Sequence, residues 1–140
     1  MPQDAPFAVK KIILPVDMDH KEQSARALDA AAQLAKACDA KLYVMTSAHP
    51  LGDDIAEYPE HHKPEFEKYI KAAADRHDVA VESMFRHHES AEKMILEAAE
   101  ETGADLIVMG THDPKLTDHL FGSHASHIAL HAPCSVMVVR

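Results

Sequence analysis

Tryptophan is absent from this sequence, and aromatic residues make up only 5% of its 140 positions. Any core must therefore be aliphatic, and an apolar share of 46% is enough to build one from Ala, Val, Ile, Leu and Met. Positive charge is also scarce: 14 Lys and Arg stand against 23 Asp and Glu, a formal charge of −9. Non-specific nucleic-acid binding needs a basic surface, so no nucleic-acid partner is expected, and an anionic membrane is no better a match. No apolar run approaches the roughly 18 residues of a membrane span, so no membrane insertion is expected. The opening Met-Pro-Gln-Asp-Ala-Pro has neither a basic region nor an apolar core, which predicts no signal peptide and a cytoplasmic protein. The two cysteines, Cys38 and Cys134, stand far apart and in no metal or redox spacing. They read as reduced, buried thiols.

Several catalytic signatures are missing as well. There is no Gly-x-x-x-x-Gly-Lys-[Ser/Thr] loop, hence no lysine to steady a γ-phosphate, and no Gly-x-Ser-x-Gly elbow. The segment Met18-Asp19-His20-Lys21 is not the Ser/Gly-rich phosphate loop an adenylating enzyme would want. No general base is identifiable, so a binding protein is expected rather than an enzyme.

Histidine, by contrast, is abundant. Protonating all twelve would raise the charge of −9 by twelve, to +3, at about pH 6 to 7 for unperturbed imidazoles. His127 and His131 have the i, i+4 spacing that could chelate a metal on one helical face, but no acidic or cysteine ligand stands at motif spacing beside them. An exposed polar face is the expectation there, and no metal site is assigned.

What the chain does contain is an alternation of short apolar runs and helical stripes in a single domain, 1–140. Lys11–Asp17 is a continuous apolar strand ending in a carboxylate, and Lys41–Ser47 and Val79–Phe85 read as the second and third strands. Ser24–Cys38 carries a helical stripe of Ala27, Leu28, Ala31, Leu34 and Ala35. Phe66, Tyr69, Ile70 and Ala73 mark a helix over Pro64–His77, preceded by a loop over His49–Pro64. Ser90 is a credible N-cap and Gly103 a credible terminator for the next helix. The last third holds Asp-Leu-Ile-Val-Met-Gly, a loop closed by Gly122-Ser123, a helix through about His131, and a final strand from Cys134. This order predicts an α/β, doubly wound, Rossmann-like sheet of five parallel strands with helices on both faces. In such sheets ligands bind outside the carboxyl ends of the strands, where strand order reverses. A fresh helix N-terminus at Gly122-Ser123 offers unpaired N–H groups and a positive dipole end, a natural anion site.

Three segments together resemble the universal stress protein family: Lys-Ile-Ile-Leu-Pro-Val-Asp at the start, Gly-Ala-Asp-Leu-Ile-Val-Met-Gly-Thr-His late, and Leu-Phe-Gly-Ser followed by His-Ala-Pro-Cys-Ser-Val-Met-Val-Val-Arg. The resemblance implies strand order 3-2-1-4-5, homodimers paired through the last strand, and in one branch ATP bound at the switch point. ATP-binding members carry Gly-x-x-Gly, nine residues, then Gly-Ser or Gly-Thr. Here Gly110, Gly122 and Ser123 are present, but Asp113 replaces the second glycine and only eight residues separate it from Gly122. The form His112, Pro114, Leu116, Thr117, Leu120, Gly122, Ser123 resembles a subgroup with a shortened loop that still binds ATP. By matching position, Pro15, Val16 and Asp17 line the adenosine end, Ser47 sits beside the base, and Met109 and Gly110 floor the pocket. His112 lies in the loop, and Gly122, Ser123 and His124 meet the phosphates. The implied ligand is ATP, with or without Mg2+, or ADP or AMP in its place. The implied role is a stress-response regulator. The rival reading is a nucleotide-free dimeric interaction module of the same fold, which Asp113 favours because a carboxylate repels phosphate.

Overall fold

A computed structural model describes residues 5–47, 63–86, 90–110 and 123–140. Five strands form one parallel sheet: β1 (Lys11–Pro15), β2 (Lys41–Ser47), β3 (Val81–Arg86), β4 (Leu106–Gly110) and β5 (Ser135–Val139). Their order is β3-β2-β1-β4-β5, so β1 and β4 are neighbours at the centre and the chain's direction across the sheet reverses between them. Four helices are described, α1 (Ala25–Cys38), α2 (Lys63–His77), α3 (Ala91–Thr102) and α4 (Ser123–His131), with a 3₁₀ segment Met18–Ser24 leading into α1.

Burial explains the strand sequences. Ile12, Ile13 and Leu14 of β1 are fully buried, as are Ile107 and Val108 of β4. A central parallel strand is covered on both faces, which is why these runs are continuously apolar instead of alternating. One face carries α1 and α2, whose Leu28, Ala31, Ala35, Phe66 and Ile70 pack on Ile12, Leu14 and Val44. The other carries α3 and α4, whose Ile95, Ala98, Ala99 and Ile128 pack on Ile13, Met45 and Ile107.

The ends of the elements refine the sequence reading. Ser90 caps α3 in an extended conformation and accepts from the Lys93 N–H at 3.3 Å, and Gly103 closes the helix at φ +69°. Glycine adopts that left-handed conformation without a Cβ penalty. Ser24, in contrast, has helical dihedrals and makes no side-chain cap bond, because the chain reaches it already wound as a 3₁₀ turn. The first strand stops at Pro15 rather than Asp17. The third spans Val81–Arg86 rather than Val79–Phe85, since the Val79 N–H is still engaged by the Ala74 carbonyl at the end of α2. Cys134 is half-buried just before β5, but Cys38 is exposed in the last turn of α1, correcting the expectation of two buried thiols. The expected loop His49–Pro64 falls almost wholly outside the described residues.

Candidate functional site

The carboxyl ends of β1, β2 and β4 bring six of the sequence-predicted residues, Pro15, Val16, Asp17, Ser47, Met109 and Gly110, to one end of the sheet. Pro15 ends β1, with Val16 and Asp17 directly after it; Ser47 ends β2; Met109 and Gly110 end β4; and α4 begins at Ser123. Side-chain placement is described for only part of this set. Val16 is buried at 4% exposure and packs into the core shared with α1, while Asp17 is exposed beside it. Met109 is a core residue among Ile13, Met45 and Ile95, and Gly110 is half-buried after it. The side chains of Ser47, Ser123 and His124 are not described, and His112 and Gly122 lie outside the described residues together with Asp113.

The geometry at the end of β1 depends on a residue that motif reasoning passed over. Thr46 is 4% exposed, and its hydroxyl donates to the Val16 carbonyl at 2.7 Å. The Val16 N–H donates in turn to the Met45 carbonyl at 2.8 Å. Both bonds tie the chain beyond Pro15 to β2 and so fix where Asp17 leaves the sheet. A threonine hydroxyl buried near the end of a strand must find a partner, although sequence does not name which one.

Electrostatically, the edge offers a carboxylate at Asp17 and the positive end of α4 at Ser123. A helix of nine residues aligns enough peptide dipoles to favour an anion there, with backbone N–H groups to receive it. Further along α4, the His127 and His131 rings lie 4.5 Å apart, and His127 Nε2 is 3.6 Å from Glu92 Oε2. Among the described residues, no three His, Cys, Asp or Glu side chains are grouped to hold a metal ion. Nor is any described helix long and apolar enough to cross a membrane.

The family model described as the universal stress protein family matches residues 8–140. The chain belongs to that family. Universal stress protein G of Shigella flexneri is 31% identical over 141 residues, covering 94% of this chain and 99% of the relative. Universal stress protein UspA from Lactobacillus plantarum shares the fold with a TM-score of 0.76 at 21% identity, covering 95% of this chain and 99% of that one. Two further solved structures of the family are complexes. One is a universal stress protein with cAMP, at TM-score 0.70 and 24% identity, covering 95% and 98% of the two chains. The other is the protein from Archaeoglobus fulgidus with dAMP, at TM-score 0.68 and 21% identity, covering 94% and 98%. The universal stress protein fold thus accounts for the five-stranded order seen here.

Proposed function

We propose that this universal stress protein binds an adenine nucleotide, ATP foremost, in the crevice between β1 and β4, and serves as a cytoplasmic stress-response regulator without efficient turnover. The observation that carries this reading is that an exposed carboxylate, Asp17, follows the end of β1, whose neighbour β4 leads on to the helix beginning at Ser123, where the strand order of the sheet reverses. Two structural neighbours holding cAMP and dAMP support the adenine part of it. In this arrangement Asp17 accepts from ribose or adenine. The N–H groups of Gly122, Ser123 and His124 and the Ser123 hydroxyl receive the phosphates. Pro15, Val16, Ser47, Met109 and Gly110 border the nucleoside, and His112 stands in the phosphate loop. These groups suit recognition; they supply neither a lysine on a γ-phosphate nor a base for water. Mg2+, where it accompanies ATP, would neutralise phosphate charge that the Asp113 carboxylate would otherwise repel.

Assembly belongs to the same proposal. β5 is an edge strand, and a second copy pairing along it would satisfy the row of backbone groups that an edge exposes. Val136, Met137 and Val138 then lie near the interface, and Met137 is already 38% exposed. Asp113 favours the second reading, a nucleotide-free dimeric module, because it stands where the family's ATP binders have glycine.

Calorimetric titration of nucleotide-stripped protein with ATP, ADP and AMP decides between them. The proposal expects binding, with the Asp113 charge penalising triphosphate more than monophosphate. It also expects Gly122→Val to weaken binding about tenfold, roughly 1.4 kcal/mol, by crowding the phosphates. No heat with any nucleotide up to millimolar concentration selects the nucleotide-free module. Unchanged binding by Gly122→Val moves the site away from the α4 N-terminus.

A further inference from the structure

Along a parallel strand, successive residues turn their N–H and C=O groups to opposite neighbours. The bonds of β1 show which way each residue faces. The Lys10 carbonyl accepts from Lys41 N–H at 2.8 Å and the Val16 N–H donates to the Met45 carbonyl at 2.8 Å, so even-numbered positions face β2. The Lys11 carbonyl accepts from Asp105 N–H at 2.9 Å, so odd-numbered positions face β4. Residue 15 therefore faces β4, and residue 15 is proline, which has no N–H to give.

The register follows from that missing donor. Partners between β1 and β4 end at Ile13 with Ile107, whereas partners between β1 and β2 continue to Pro15 with Met45. β4 itself does not stop there; it keeps pairing with β5 as far as Gly110 with Val139. Pairing on the β4 side of β1 thus ends two positions before pairing on the β2 side, a one-sided parting of the ladder between the two strands where the order reverses. Proline is disfavoured inside a central strand. At the last residue of β1 it removes a single ladder bond, on the β4 side.

Two bonds keep the parting one-sided. Val16 N–H to Met45 and Thr46 Oγ1 to the Val16 carbonyl hold the strand end on β2. No described peptide is cis. Across the trans bond between Val16 and Asp17, a carbonyl aimed at β2 turns the Asp17 N–H the opposite way.

We infer that Pro15 is a positioning residue whose missing N–H holds the β1–β4 crevice open for the nucleotide, while Thr46 and Met45 anchor the same strand end on its other side. The inference rests on the nucleotide reading proposed above. A proline needed only for packing and a proline needed to withhold a donor make opposite predictions for Pro15→Ala. Loss of packing lowers thermal stability, whereas restoring the N–H lets β1 and β4 zip one step further and leaves the fold intact.

The test is Pro15→Ala in the full chain, followed by amide hydrogen exchange and by titration with ATP and AMP. The expected result has three parts: the amide introduced at position 15 exchanges as slowly as those of Ile12, Ile13 and Leu14, the unfolding midpoint is not lowered, and nucleotide affinity falls about tenfold. Rapid exchange of that new amide overturns the inference, as does failure of the variant to fold or an unchanged affinity alongside a protected amide. Should the wild type bind neither nucleotide, the proposed function falls. The exchange rate at position 15 of the variant would still decide whether the proline keeps the strands apart.

Discussion

Lys11 and Asp105 hydrogen-bond to each other in both directions: Lys11 N–H donates to Asp105 Oδ2 at 3.0 Å, and Asp105 N–H donates to the Lys11 carbonyl at 2.9 Å. The same Oδ2 accepts from Lys10 N–H at 2.8 Å, and Lys11 Nζ reaches the Thr102 carbonyl at 2.9 Å in the last turn of α3. One carboxylate thereby starts the β1–β4 pairing at the end of the sheet remote from the candidate site.

Asp105→Ala should cost about 2 kcal/mol of stability, because two backbone donors lose a charged acceptor at once. Urea denaturation would measure it. Nucleotide affinity should not change, since the proposed site is at the other end of β1. A loss below about 0.5 kcal/mol would mean that water replaces the carboxylate there.

Thr46→Val keeps the shape of the side chain but removes the donor to a buried carbonyl. It should destabilise the protein by about 2 kcal/mol and loosen the Asp17 end of β1. Thr46→Ser retains the hydroxyl and should recover most of the nucleotide affinity that valine loses. Parallel titrations of the two variants check the pair. Equal affinities would show that the hydroxyl does not position the site.

These two residues also show what could be read from the chain beforehand. The buried runs of β1 and β4 were legible because a strand covered on both faces admits nothing polar, and Ser90 and Gly103 were legible because caps have local chemistry. The adjacency of β1 and β4 was not legible from periodicity; it came from the resemblance to the family, and the strand order bears it out. Thr46 belongs to no motif: its partner, the Val16 carbonyl, is 30 positions away in sequence, and backbone acceptors leave no trace in composition. The 3₁₀ lead into α1 is hidden for a related reason: Ser24 carries the residue type of an N-cap without its dihedrals. Of the candidate site, Pro15, Met109 and Gly110 stand at the ends of β1 and β4 and Val16 and Asp17 follow β1, whereas the loop from His112 to Gly122 is a matter of sequence alone.

Stability should decline at alkaline pH. Burial pushes the Cys134 thiol above its ordinary 9.0 and the Tyr69 phenol above its ordinary 10.0. In both cases the unfolded chain ionises first and binds fewer protons, so the contribution is complete below the unfolded value and is lost as pH rises through the folded one. Melting temperatures measured from pH 8 upward should fall beyond about pH 9, and less steeply in Tyr69→Phe. A curve for Tyr69→Phe that superimposes on wild type would remove the tyrosine from this account. Cys38, being exposed, should be alkylated well before Cys134.

Met137→Glu should shift the protein toward monomer in light scattering at tens of micromolar if copies pair along β5. The substitution puts a charge on the exposed edge strand beside its own copy, and like charges facing each other across a strand pair repel. A wild type that is already monomeric at that concentration would sink the dimer itself.

Methionine is distributed unevenly about the sheet. Met45, Met84, Met94 and Met109 are all buried on the face that carries α3 and α4, while the buried side chains opposite are Ile, Leu, Val, Ala and Phe. Thioether side chains are unbranched and rotate about three bonds, so they refill space after a displacement that branched residues would resist. The helix whose first turn is proposed to meet the phosphates therefore rests, through Ala125 and Ile128, on the more deformable half of the molecule. Small rotations of α4 can be absorbed there by rotamer changes while α1 and α2 keep their packing. The same softness carries a chemical exposure: oxidation of any of these four sulfurs would place a polar sulfoxide inside an otherwise apolar cluster.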